Sequence, residues 1–167
     1  MNLEEITASA DRIFVGNCVS IEEIEDDPAS KLPVVKYTFE ITEGIKGVEN
    51  KSKISFKQWA PSIKESGYQK DKKYVLFLYP DSERGLTSPV GLLQGNFEVE
   101  LHGLIRKKEF VRNKINNRGL SRNLRSQKAV YISNDDYLNN YLSHCSEFAK
   151  PMRYREFIRT IKYLAKK

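Results

Sequence analysis

The sequence predicts a mainly β fold: a five-stranded antiparallel barrel with an α-helix at each end. Apolar and polar residues alternate through residues 34–46, the pattern of a half-buried strand. Residues 74–79 form an unbroken apolar run whose length suits a strand covered on both faces. Residues 97–101 alternate again. The 167 residues suit one domain, 1–167, with a substantial core.

The N-terminal helix is predicted over residues 2–12. Asn2 can cap it, and Glu5 stands three residues later, as in a capping box. The barrel strands are expected over about residues 12–111. Gly16, inside the first strand, indicates a bulge or a tight bend. Pro80 ends the central apolar run, because proline cannot donate to a ladder.

The last third of the chain is predicted to hold a basic loop over residues 112–128 and helices within 133–167. Ser133 can cap the first of these helices, and Pro151 suits the start of the second. The second helix has an apolar stripe at helical spacing. The stripe contains no tryptophan and the helix is short, so we expect it to pack on the barrel rather than on a membrane.

Composition indicates a globular protein without membrane insertion. The hydrophobic share is 40%, and no apolar run approaches the ~20 residues of a membrane helix. The net charge of +6 favours acidic partners weakly. The chain begins without an apolar signal segment, which leaves two expectations open: a cytoplasmic protein, or the mature form of an exported one.

The basic residues of the stretch 106–128 are the strongest candidates for a binding site. Phe110 is the one aromatic residue within this stretch, whereas barrels that bind single-stranded nucleic acid combine cations with stacked aromatic rings. Three readings stay open: a solvated loop, a site for an acidic protein, and a nucleic-acid site. The candidate binding residues are Arg112, Lys114, Arg118, Arg122, Arg125 and Lys128.

The sequence predicts neither catalysis, nor a cofactor, nor a metal site. His102 and His144 are the only histidines, and no metal-ligand spacing surrounds them. Cys145 follows His144, but adjacent residues rarely point at each other. Cys18 and Cys145 leave two alternatives, a disulfide between them or two buried thiols.

Five segments, in this order, resemble a group of uncharacterised bacterial exported proteins. They are residues 10–16 (ADRIFVG), 37–47 (YTFEITEGIKG), 72–78 (KKYVLFL), 86–99 (LTSPVGLLQGNFEV) and 116–120 (NNRGL). The resemblance implies the OB-like barrel of the netrin-like and TIMP-like domains, and a secreted or periplasmic location. It implies no activity. True TIMP inhibitors begin with a cysteine that binds the protease zinc, whereas this chain begins Met-Asn-Leu.

Taken together, these patterns predict a monomeric, non-enzymatic binding domain. Its ligand is unknown. We expect the partner to be a protein with an acidic surface, met outside the cytoplasm. The alternative is an OB domain that binds single-stranded nucleic acid through the basic stretch 106–128.

Overall fold

The computed structural model describes residues 1–61, 67–120, 122 and 151–166. Within these residues the chain forms a seven-stranded antiparallel sheet with a helix at each end. The strand order is β3-β2-β1-β4-β5-β6-β7. The elements are α1 (Leu3–Ser9), β1 (Arg12–Ile24), β2 (Val34–Lys46), β3 (Lys53–Trp59), β4 (Lys73–Leu78), β5 (Asn96–His102), β6 (Lys108–Asn113), β7 (Met152–Arg153) and α2 (Tyr154–Ala165).

The mainly antiparallel β fold with terminal helices is confirmed, but the strand count of five is wrong. β1 to β5 match the strands that the apolar patterns of the sequence predict. β6 adds to β5, and the two-residue β7 adds to β6 at the outer edge. Among the described residues no ladder joins β3 to β7, so the sheet is open, whereas a closed barrel was expected.

Both helices are shorter than the sequence predicts. The capping box at α1 is confirmed: the Glu5 amide donates to Asn2 Oδ1 and the Asn2 amide donates to Glu5 Oε2, both at 2.9 Å. α1 ends at Ser9 because residues from Arg12 onward pair in β1. α2 begins at Tyr154 because the two preceding residues pair with β6. The helix predicted from Ser133 lies outside the described residues, and so do residues 121 and 123–128 of the basic loop.

One face of the sheet is covered by the two helices. Leu3 and Ile6 of α1 and Phe157 and Ile161 of α2 are buried against β1, β4 and β5. The Phe97 and Phe157 ring centroids lie 4.7 Å apart. The apolar stripe of the last helix therefore packs on the sheet, as its spacing predicts.

The other face of the sheet curls around a group of rings that we call the aromatic cluster. Its members are Phe14, Phe39, Phe56, Tyr68 and Tyr74. The curl needs a close approach of β1 to β2 at Gly16, where a Cβ atom would lie 2.9 Å from the Glu40 carbonyl oxygen. Register shifts on both sides of Gly16 bend β1, as the glycine indicated.

The loop between β4 and β5 meets β3 along a short seam. Lys57 and Leu86 form a single parallel bridge, and the Thr87 amide donates to the Lys57 carbonyl oxygen at 2.9 Å. The same loop is tied to β4, since the Val90 amide donates to the Phe77 carbonyl oxygen at 2.8 Å. The seam brings the β3 edge of the sheet against a loop that leaves its centre.

Phe39 and Thr38 test the facing of β2. Phe39 is fully buried, whereas the Thr38 hydroxyl lies on the other face, 2.8 Å from the Ser55 hydroxyl. We expect Phe39→Ala to lower the free energy of unfolding by ~3–5 kcal/mol, as buried aromatic truncations do. Thr38→Ala should cost less than half as much. Urea unfolding measures both, and equal losses would contradict the assigned facing.

Candidate functional site

Arg112, the first of the predicted binding residues, is engaged in an ion pair. Its exposed side chain lies near the end of β6, with its Nη2 atom 2.6 Å and its Nε atom 3.2 Å from Glu100 Oε1. Partial burial opposes ionisation of Glu100, but hydrogen bonds from Arg112 and His102 hold its pKa below the ordinary value. The carboxylate is thus charged at neutral pH and competes with any anionic ligand for Arg112.

The structure brings together two of the other predicted residues. Arg118 and Arg122 line one shallow groove beside the start of α1, and Glu5 lines the same groove with an opposing charge. No aromatic side chain is among its described lining residues, so the groove offers no platform for base stacking. Lys114 is exposed outside it. Arg125 and Lys128 lie outside the described residues.

Cys18 and His102 do not form reactive sites among the described residues. Cys18 is buried in the curl, where burial and the Asp71 carboxylate raise its pKa to about 11. The thiol is therefore protonated at neutral pH. His102 Nε2 lies 2.9 Å from Glu100 Oε2. Cys145 and His144 lie outside the described residues, so the disulfide stays a prediction.

A second groove, which we call the aromatic groove, opens at the seam between β3 and the loop that follows β4. Its volume is about 190 Å³. The end of β3, the loop after it, the β4–β5 loop and the start of β5 form its walls. The lining residues are Tyr37, Gln58, Trp59, Pro61, Gly67, Tyr68, Thr87, Ser88, Pro89, Leu92, Leu93 and Asn96.

The rim of the aromatic groove exposes three large apolar side chains. Trp59 is 39% exposed, Leu93 43% and Leu92 69%. Leu92 has a left-handed backbone, φ +56°, within the turn that follows Pro89, and this turn directs the two leucines outward. Apolar side chains that converge on one concavity are typical of binding sites.

Asn96, which lines the aromatic groove, has a buried acceptor without a partner. Asn96 is only 5% exposed, and its Oδ1 atom has no hydrogen-bond partner in the described part of the chain. Two neighbouring polar side chains already form hydrogen bonds within the protein. Gln58 donates to the Tyr68 hydroxyl at 3.3 Å, and Thr87 donates to the Tyr79 carbonyl oxygen at 2.6 Å. A buried acceptor left unpaired costs stability. The atom is closed off from solvent, so a donating ligand would recover this cost only if the Asn96 side chain turned toward the groove.

Sequence reasoning missed this groove. Two features of the sequence could have pointed to the groove. They are the single tryptophan at the end of a strand, and two adjacent leucines in a loop bounded by Gly91 and Gly95. Neither signal shows that the two segments meet. Their meeting depends on the long-range seam between Lys57 and Thr87.

Comparison with known proteins adds no family. A scan against protein-family models finds no match, and a search of curated proteins finds no significant relative. The resemblance to exported OB-like proteins therefore stays a prediction. In the described ranges no group of residues has the composition of a metal site, and no helix is long and apolar enough to cross a bilayer.

Cys18 should make stability sensitive to alkaline pH. The unfolded thiol loses its proton from about pH 9 upward, whereas the raised pKa keeps the native thiol protonated to about pH 11. The stability that the protonated thiol contributes is therefore fully present below pH 9, and it is lost as the pH rises from 9 to 11. We expect Cys18→Ala to reduce the slope of unfolding free energy against pH in this window by up to ~1.4 kcal/mol per pH unit.

Urea unfolding at half-unit steps of pH measures this slope. Tyr68→Phe is the matched control, because burial raises the pKa of Tyr68 above its ordinary value of 10.0 and its effect begins a unit higher. An identical slope in Cys18→Ala and the parent protein between pH 9 and 10 would show that the thiol is not shielded from ionisation.

Proposed function

We propose that the chain is a non-enzymatic binding domain that takes an extended segment of another protein into the aromatic groove. The observation that carries this proposal is an apolar cleft rimmed by Trp59, Leu92 and Leu93 and lined by Asn96, whose buried Oδ1 atom is unpaired among the described residues. If the Asn96 side chain turns toward the groove, a backbone amide of an extended segment could donate to this atom while a neighbouring apolar side chain packs between Trp59 and Leu93. Main-chain hydrogen bonds with pockets for side chains are a common mode of peptide recognition.

The size of the groove favours a polypeptide over a cofactor. Sites for drug-sized ligands occupy roughly 300–1,000 Å³. The aromatic groove has about 190 Å³ and is open to solvent, so it fits one or two side chains of a longer ligand. Its described lining contains amides and hydroxyl groups but no carboxylate, histidine or cysteine, which suits binding rather than acid–base chemistry.

The finer fold and the location belong to the same proposal. We propose that the curled sheet is a partly open barrel of the OB type. The Lys57–Leu86 bridge at the seam supports this interpretation. A secreted or periplasmic location follows from the resemblance, and fractionation of cells tests it. The net charge of +6 supports a partner with an acidic surface. The domain is proposed to be a monomer, which light scattering tests.

Trp59 makes the proposal measurable, since it is the only tryptophan in the chain. Random linear peptides displayed on phage would be selected on the folded domain, and synthetic copies titrated against Trp59 emission. We expect selected peptides to carry a large apolar residue and to shift that emission. Asn96→Leu, which removes the acceptor, should weaken binding by about tenfold, the loss expected for a hydrogen bond to a buried group.

A pair of matched variants distinguishes peptide binding in the aromatic groove from non-specific binding to exposed apolar side chains. Leu92→Ser/Leu93→Ser removes two exposed aliphatic side chains at the groove, and Leu104→Ser/Ile105→Ser removes two elsewhere. Only the first should weaken peptide binding. Peptides that bind both variants equally, or that leave Trp59 emission unchanged, would contradict the proposal.

The nucleic-acid alternative has its own test. We expect single-stranded oligonucleotides to bind no more tightly than ~10⁻⁴ M at physiological salt, the weak end of non-specific binding. Arg112 is paired with Glu100, and the Arg118–Arg122 groove has no stacking ring among its described lining residues. Fluorescence anisotropy measures the affinity. Sub-micromolar binding that weakens in Arg112→Ala/Arg118→Ala/Arg122→Ala would support the alternative instead.

A further inference from the structure

The tip of the β5–β6 hairpin, residues 101–108, exposes apolar side chains completely. Leu104 is 101% exposed and Ile105 96%, and Leu101 beside them is 63% exposed. Gly103 makes the turn: its φ is +116°, and a Cβ atom there would lie 2.6 Å from the Arg106 carbonyl oxygen. The glycine thus allows a tight turn that carries Leu104 and Ile105 into solvent.

Cations follow these apolar residues directly. Arg106, Lys107 and Lys108 are all exposed, and none forms an ion pair with another described residue. The acids at the base of the hairpin are already compensated: Glu100 by Arg112, and Glu109 by Lys73 at 2.8 Å.

The cleft beside the hairpin extends the positive surface. Lys107 and Lys108 line it at the start of β6, and Arg153 of β7 and Arg155 of α2 line it opposite them. Glu109 and Glu156 are its acidic lining residues, and Glu156 lies 4.0 Å from Arg153. Cations therefore outnumber acids around the hairpin tip.

We propose that this hairpin tip docks the domain on an anionic phospholipid bilayer. Leu104 and Ile105 would enter the interfacial region, and the neighbouring cations would contact the headgroups. Such binding grows with the apolar area buried and with the attraction of basic residues to anionic lipid. A projecting apolar turn needs a matching cavity on a protein partner, whereas a fluid bilayer accommodates it without one.

The charge pattern fits the same surface. Long basic side chains keep their charge in water while their stems cover apolar surface, so Arg106 and Lys107 can remain at the headgroups while Leu104 and Ile105 lie deeper. The proposal is independent of the protein-binding proposal, because it uses none of the residues that line the aromatic groove.

Co-sedimentation with vesicles tests the docking. The probes are vesicles of phosphatidylcholine alone and vesicles with added phosphatidylglycerol. We expect binding to the anionic vesicles only. Arg106→Gln/Lys107→Gln/Lys108→Gln should weaken it by roughly 100-fold, since each basic residue near an anionic surface contributes about a fivefold gain. Leu104→Ser/Ile105→Ser should weaken it by about tenfold or more. The matched control, Leu92→Ser/Leu93→Ser, should bind as the parent does.

A fluorescence measurement reports the depth of the tip directly. Trp59→Phe/Leu104→Trp places the only tryptophan at the hairpin tip, and its emission should shift to the blue on anionic vesicles and be quenched by brominated lipid. Emission that stays at its solvent value while the protein sediments with vesicles would overturn the proposed insertion.

Two further outcomes would overturn the proposal. The first is a parent protein that binds neither kind of vesicle, or both equally. The second combines two results. The parent protein and Leu104→Ser/Ile105→Ser bind polyglutamate but the triple glutamine variant does not, and the two serine substitutions leave vesicle binding unchanged. That pattern would indicate an acidic protein partner for the cations. Peptide binding in the aromatic groove would be unaffected by either outcome, so the two proposals fail separately.

Discussion

The packing of aromatic rings inside the curl of the sheet is the interaction on which the rest of the molecule depends. Phe39 lies at its centre, with the ring centroids of Phe14, Phe56, Tyr68 and Tyr74 at 5.2–6.1 Å. These rings come from β1, β2, β3, β4 and the loop before β4. They bury together only if the sheet bends at Gly16, so the bend and the cluster require each other.

The aromatic groove follows from the same packing. Tyr37 and Tyr68 belong to the buried face of the curl and also line the groove, and their ring centroids lie 4.7 Å apart. The groove therefore has a floor fixed by the core and a rim made of exposed loop residues. A groove supported in this way would be preformed for the proposed peptide, which would reduce the ordering cost of binding.

Local patterns could be predicted from the sequence, whereas long-range pairing could not. The alternation in β2, the bend at Gly16 and the cap at Asn2 each depend on residues close in sequence. β7 depends on pairing between Val111 and Met152, which are 41 residues apart by their numbers. The groove depends on the contact between Lys57 and Thr87, 30 residues apart by their numbers. Such contacts leave no periodic signal.

The predicted binding residues show the same limit. A run of cations is visible in the sequence, but the acids that compensate it are not. Glu100 on β5 neutralises Arg112 on β6 because the two strands pair, and Glu5 of α1 reaches the groove of Arg118 and Arg122 through the fold. Arg106, Lys107 and Lys108, which form no ion pair with another described residue, stand beside the two most exposed aliphatic side chains of the described part of the chain.

The amide of Thr87 provides the most direct test of the central claim, that the seam between β3 and the β4–β5 loop holds a preformed groove. Its hydrogen bond to the Lys57 carbonyl oxygen ties the β4–β5 loop to β3. Native-state hydrogen exchange, followed by NMR, should show this amide protected nearly as strongly as that of Phe39 in β2. Exchange at the rate of an open loop, with Phe39 still protected, would contradict the account.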